Sequence, residues 1–309
     1  MIVNSNNPED YLQVGNFCVS FIDLLGQRKA LEGHGLLPSF ETEDQRNQLI
    51  ADFRKSIGAI IKLQIQAEAM LKPLQNLPLN SPLRTALPPE QQAIWDEVHF
   101  NHIKTQRWSD GLVFFISLGD TDIKCRMEGI FSIFCLAGAL CFLGLANRNP
   151  IRGAIEIAWG IELHPNELYG AAVARAYELE SEIAQYPRIV IGAEAVKLLQ
   201  AHHLNTEEDI YSQCDKALAS LCLDMLIQDI DGHWLIHYLG DKFQMISHTL
   251  HTELYSAAKS FVHEQLMEHN SKKNTKLALR YSRLLQYFDT YPPIASEKNQ
   301  STISPDLPQ

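Results

Sequence analysis

The chain has 309 residues, 46% of them hydrophobic, with 37 acidic against 26 basic side chains and a formal charge of −11. That length and apolar fraction exclude disorder for the bulk of the chain and allow one substantial core, alone or with a helical appendage. The acidic balance excludes tracking along a nucleic-acid backbone, which needs a basic face, but it permits a small phosphate-bearing ligand held by local cations or metal ions.

The six cysteines form no Cys-x-x-Cys pair and mostly sit in apolar runs, so they read as buried free thiols in a reducing cytosol. The first residues, MIVNSNNPEDYLQ, carry neither a basic start nor an apolar stretch; secretion is not expected and a cytoplasmic location is.

Val14 to Leu25 is rich in β-branched and aromatic residues and runs into Gly26, which predicts a buried strand and a turn. A helix is predicted over Glu43 to Lys72, where apolar residues recur near the 3.6 period until Pro73 stops it. Leu74 to Pro89 is proline-dense and reads as a connecting loop. His102 to Ser117 splits around Ser109-Asp110-Gly111 into two strand-like halves, a hairpin with an acidic residue in its turn. Gly129 to Ala146 carries no charge and approaches the length of a membrane span. Gly138 and Gly144 interrupt it, and it leads directly into the next strand, so it reads as a helix packed on a sheet and against a second subunit rather than a span.

Ile151 to Gly160 alternates around Arg152, Ala154, Glu156 and Ala158 as a strand does. Helices are predicted at Tyr169 to Gln185 and Ala193 to His202, with a short strand at Arg188 to Ile191 between them. Weaker strands cover Met225 to Ile230 and His233 to Leu239, joined at Asp231-Gly232. Thr249 to Phe288 reads as a polar helical lid or dimer arm, and the residues from Tyr291 as a disordered tail. The expected fold is α+β, a mostly antiparallel sheet with helices on one face. The expected organisation is a segment 1–13, a catalytic domain 14–240 with an insertion 43–101, a helical region 241–290 and a tail 291–309.

Two carboxylates stand out. Asp23 ends an otherwise apolar strand, where burying an unpartnered carboxylate costs several kcal/mol, so a partner such as a metal ion is expected. Asp110 sits in a hairpin turn beside Gly111, which lets a ligand come close to the backbone. Taken singly, each has a plain reading, as a cap for the following turn and as a turn residue. The acidic run Glu178, Glu180 and Glu182 reads as a solvated helix face, with Glu178 the member nearest a site, and the histidines read as structural.

Considered together, these segments resemble a known family. Phe21-Ile22-Asp23-Leu24-Leu25-Gly26 looks like the Phe-x-Asp-x-x-Gly metal motif of class III nucleotidyl cyclases. Trp108-Ser109-Asp110-Gly111 resembles their second metal motif, Arg152-Gly153-Ala154-Ile155 the following strand, and the run from Tyr169 to Glu180 their Gly-x-x-Val-Asn-x-Ala-x-Arg-Leu helix. The phrases FIDLLG, SDG, RGAI and YGxAxxRAYELE are similar to those of the pyrimidine cyclases of bacterial antiphage (Pycsar) systems.

The resemblance implies a class III cyclase-like fold and conversion of a pyrimidine nucleoside triphosphate, UTP before CTP, to its 3′,5′-cyclic monophosphate and pyrophosphate. It implies two divalent cations, Mn²⁺ or Mg²⁺, held by Asp23, Asp110 and the Leu24 carbonyl, in a homodimer whose product acts on a separate effector protein. The family's ribose-orienting Asn falls at Ala174 and its phosphate-stabilising Arg at Glu178, so Arg175, supplied by the second subunit, is the candidate replacement cation. Base-reading positions fall at Gln106 (or Lys104) and Glu167, with Arg107 beside the metal hairpin as a further candidate. The two substitutions also admit a second reading, a catalytically degenerate nucleotide sensor.

Overall fold

A computed structural model describes residues 14–26, 39–75, 82–99, 102–120, 122–247 and 252–293. The expected N-terminal segment 1–13, residues 294–309 of the expected tail, and His248 and His251 lie outside the described residues.

In chain order the elements are β1 (Val14–Leu24), α1 (Glu43–Gln75), α2 (Pro82–Thr85), α3 (Pro89–Val98), β2 (Lys104–Trp108), β3 (Gly111–Ser117) and α4 (Arg126–Ala146). There follow β4 (Ile151–His164), β5 (Glu167–Tyr169), α5 (Ala171–Glu178) continued by a π-helical turn at Leu179–Ala184, β6 (Ile189–Ile191), α6 (Ala193–His203) and α7 (Ile210–Asp224). The chain then forms β7 (Leu226–Gln228), β8 (Trp234–Ile236), α8 (Asp241–Ser247), α9 (Thr252–Ser271) and α10 (Thr275–Thr290). The strands make one sheet in the order β2-β3-β1-β4-β6-β8-β7, with β5 folded back on β4. Only the β4 to β6 pairing is parallel among the described ladders, so the sheet is mostly antiparallel as expected.

Several boundaries differ from the sequence reading. Pro73 lies inside α1, because its fixed φ suits a helix and the missing N–H costs a single bond near the end. The proline-dense stretch is not all loop: Pro82 opens α2 and Pro89 sits at the start of α3, where a proline N–H is not needed. Helix α7, which the pattern did not single out, starts at Asp209, whose side chain accepts from the Tyr211 and Ser212 amides at 3.0 Å each.

Alternation along β1 sorts the molecule into two layers. Cys18, Ile22 and Leu24 face the larger core, with Leu112, Phe114 and Ile116 of β3 beside them, and α4 packs over this face. Helices α1, α7 and α9 cover the other sides of α4, which is why α4 is apolar all round. Its length and composition would suit a membrane span, but 78% of its most apolar stretch is buried within the chain. Tyr255, Phe261, Tyr281, Leu284 and Phe288 join the same core, so α9 and α10 are integral to it rather than an arm.

Phe17, Val19, Phe21 and Asp23 point the other way. On that face Phe17, Val19 and Phe21 meet Val113 and Phe115, and are covered by Ala172, Val173 and Ala176 of α5 and by Leu168 of β5. Helices therefore lie on both faces, not one, but this second face carries a thin cover. The β4–β5 hairpin is held down by Lys104 Nζ to Glu162 Oε2 at 2.5 Å and by the Leu168 amide donating to Gln106 Oε1 at 3.1 Å.

Two glycines let the central strands meet. A Cβ on Gly111 would stand 2.8 Å from the Ile22 carbonyl oxygen, and one on Gly153 would stand 2.6 Å from the Phe21 carbonyl oxygen. Gly111 thus makes room for β1, not for a ligand. Gly153→Ala forces rigid backbone apart and is expected to destabilise the fold by about 1–3 kcal/mol, read as a lower urea midpoint with an unchanged slope.

Candidate functional site

Because β1 and β4 are antiparallel with Asp23 opposite Arg152, a carboxylate and a guanidinium emerge side by side at the end of the thinly covered face. The hairpin between β2 and β3 turns at Ser109-Asp110, with Ser109 in the left-handed region at φ 55°, and brings Asp110 to the same place. A cavity of about 510 Å³ lies there, walled by Phe21, Asp23, Leu24, Asp110, Arg152 and Glu180, with Trp108, Tyr177 and Ser181 at its edges. Phe21 packs edge-on to both Trp108 and Tyr177, at 6.0 and 5.4 Å between ring centres, which fixes the aromatic side of the cavity.

Glu180 is the residue the sequence reading misassigned. It is 1% exposed, on the π-helical turn, and its carboxylate touches Arg152 Nε. Arg152 also reaches Asp23 Oδ2 at 3.5 Å. A signal was present: Ala172, Ala176, Glu180 and Ala184 recur every four residues along the buried side of the helix, so Glu180 is a charge on an apolar stripe. Glu178, the member expected nearest the site, is exposed and pairs with Arg175 at 2.6 Å. Arg175 and Ala174 share that outward side and do not line the cavity of their own chain.

The other expected substrate contacts are not brought to the cavity. Arg107 alternates with Gln106 and Trp108, and so projects from the opposite face of the sheet, 3.4 Å from Glu68 of α1. Gln106 and Lys104 are engaged in holding the β4–β5 hairpin, and Glu167 is an exposed residue of β5. Of the expected site residues, Asp23, Leu24 and Asp110 converge.

Charge in the cavity is unbalanced. Burial raises the Asp23 pKa, Asp110 raises it further, and Arg152 only partly offsets this. Glu180 is pushed up to about 7, chiefly by burial, with Asp23 and Asp110 adding repulsion against the pull of Arg152. Among the described residues three carboxylates share one guanidinium, and oxygen donors with surplus negative charge fit a hard divalent cation. Among the described residues no group of three or more His, Cys, Asp or Glu side chains is already arranged around a common point for a metal. Comparisons of the chain with protein-family models, curated proteins and solved structures returned no match.

A carboxyl whose pKa is raised by folding binds its proton more tightly folded than unfolded. Stability is therefore lost as pH climbs from the ordinary Glu value of 4.5 through about 7. In metal-free buffer the melting temperature is expected to fall between about pH 5 and pH 8, with a Glu180 contribution on the order of 1–3 kcal/mol. Glu180→Gln should flatten that fall; an identical pH dependence in the variant would refute the assignment.

Proposed function

We propose that this chain is a class III type nucleotidyl cyclase acting on a pyrimidine nucleoside triphosphate, with UTP favoured and CTP the alternative. The observation that carries the reading is the convergence of Asp23, at the end of the central strand, and Asp110, in the neighbouring hairpin turn, on one cavity. The mostly antiparallel sheet and the α5 helix over its second face are compatible with the fold that the sequence motifs imply.

Asp23, Asp110 and the Leu24 carbonyl would hold two Mg²⁺ or Mn²⁺ ions. When bound, such ions lower the pKa of the ribose 3′-hydroxyl and neutralise the triphosphate, favouring in-line attack on the α-phosphorus and loss of pyrophosphate. The protein's own part is positional. Arg152 holds Asp23 in place from across the β1–β4 pair, and Glu180 in turn fixes the Arg152 guanidinium. Trp108 and Tyr177 give the cavity an aromatic wall beside Phe21.

The outward placement of Arg175 supports a homodimer in which it serves the partner's cavity, since it does not line the carboxylate cavity of its own chain. A cytoplasmic location and a separate cyclic-nucleotide-responsive effector belong to the same proposal. So does the second reading: Ala174 and Glu178 stand where the family has its transition-state groups, and the Glu178 to Arg175 pair partly neutralises the replacement cation, which favours a nucleotide-binding sensor without turnover.

Incubating the protein with each of the four nucleoside triphosphates and Mn²⁺ separates the readings. Cyclic UMP or cyclic CMP with stoichiometric pyrophosphate is expected, and Asp23→Ala should abolish it. Binding without product from any nucleotide would leave the sensor. If Arg175 acts across the dimer, mixing inactive Asp23→Ala and Arg175→Ala proteins should restore up to about a quarter of wild-type activity, because half the dimers are mixed and each holds one intact site. No recovery in dimers shown to exchange subunits would place Arg175 outside the site.

A further inference from the structure

A second cavity, of about 260 Å³, lies on the other side of the Leu179–Ala184 turn, which supplies Glu180 and Ser181 to the first cavity and Glu182 and Ile183 to this one. Lys276, Arg280 and Arg283 of α10 line it. Their spacing of four and then three residues puts all three on one side of the helix, beside the buried stripe of Ala278, Tyr281 and Leu284.

None of the three forms an ion pair among the described residues. Arg280 is half-buried and donates to a neutral group, the Gln185 side-chain oxygen, at 2.6 Å. Of the two carboxylates that line the cavity, Asp231 is committed to Arg188 at 2.7 Å, and Glu182 forms no ion pair among the described residues. Lys276, Arg280, Arg283 and Arg188 against Asp231 and Glu182 leave the wall positive among the described residues, in a chain whose formal charge is −11. Cations ordinarily scatter over a helix surface with carboxylates interspersed, because like charges one turn apart repel. Here they are gathered over a cavity.

We propose that Lys276, Arg280 and Arg283 form a binding site for an oligophosphate anion, in the cavity adjoining the carboxylate site. Two guanidinium forks and an ammonium match adjacent phosphate groups, each able to take paired N–H donors. Burial and the nearby charges of Arg152 and Arg188 pull the Arg280 pKa down, a repulsion that a bound anion relieves. The Leu179–Ala184 turn lines both cavities, so the anion is either the phosphate tail of a nucleotide seated among the carboxylates or a free oligophosphate. The site stands whichever reaction, if any, the first cavity performs.

The test is calorimetric titration of the full chain with inorganic tripolyphosphate in metal-free buffer at low ionic strength. Wild-type protein should bind, with affinity falling as salt is added. Arg280→Gln should weaken binding about tenfold and Arg280→Gln with Arg283→Gln further, whereas Asp23→Asn should not weaken it. Lys276→Gln with Arg283→Gln, both at exposed positions, gives the same reading if loss of Arg280 disturbs folding. Competition by UTP would identify the nucleotide tail as the ligand, and undisturbed binding at saturating UTP a separate anion; either supports the site. Wild-type protein that binds no tripolyphosphate, or charge-neutralised variants that bind it equally well, would overturn the proposal.

Discussion

The guanidinium of Arg152 is held between Asp23, at 3.5 Å, and the buried carboxylate of Glu180, and the charge balance of the cavity among the described residues depends on that one cation. A carboxylate as enclosed as Glu180 is costly without a partner, and the cost of breaking such a pair exceeds what forming it contributes. Arg152 comes from β4, Asp23 from β1 and Glu180 from the turn after α5, so the contact fastens three separate segments around the cavity. Asp110 adds a further negative charge, with no further cation among the described residues of the cavity wall. The site is consequently electrostatically incomplete, a condition suited to a cation arriving with its ligand.

The two faces of the sheet divide the work. One carries a thick helical layer with α4 at its centre and α9 and α10 built into the same core, and most of the buried apolar surface lies there. The other is covered, among the described residues, by α5, the π-helical turn and the β4–β5 hairpin. A thick layer on one side allows the opposite face to keep an open, charged cavity without losing the cooperative core that holds β1 in place. The π-helical turn belongs to the thin side, where local departures from α geometry are commonly found beside functional groups.

On the outer side of α5, Arg175 is tied to Glu178, whereas Lys276, Arg280 and Arg283, which form no ion pair among the described residues, stand on α10, on the far side of the turn that carries Glu180. A helix near the C-terminal end, expected to be an appendage, thereby brings its cations next to a cavity formed by strands from the first half of the chain.

The strands β1 to β4 with the long helices α1 and α4, the buried character of β1 and α4, and the candidacy of Asp23 and Asp110 were legible in the sequence, because alternation, apolar period and turn chemistry are local properties. The alternation of Gln106, Arg107 and Trp108 was equally legible, but not which face of the sheet carries the cavity, and that places Arg107 beside Glu68 instead of the site. Glu180 was visible as a charge on an apolar stripe, yet its neighbours Glu178 and Glu182 made the run look solvated. Only the β1–β4 register, which sets Arg152 opposite Asp23, and the seating of α5 over that pair decided that Glu180 is buried against a cation. Which residues face one another across segments far apart in the chain is fixed by long-range packing, and no local period encodes it.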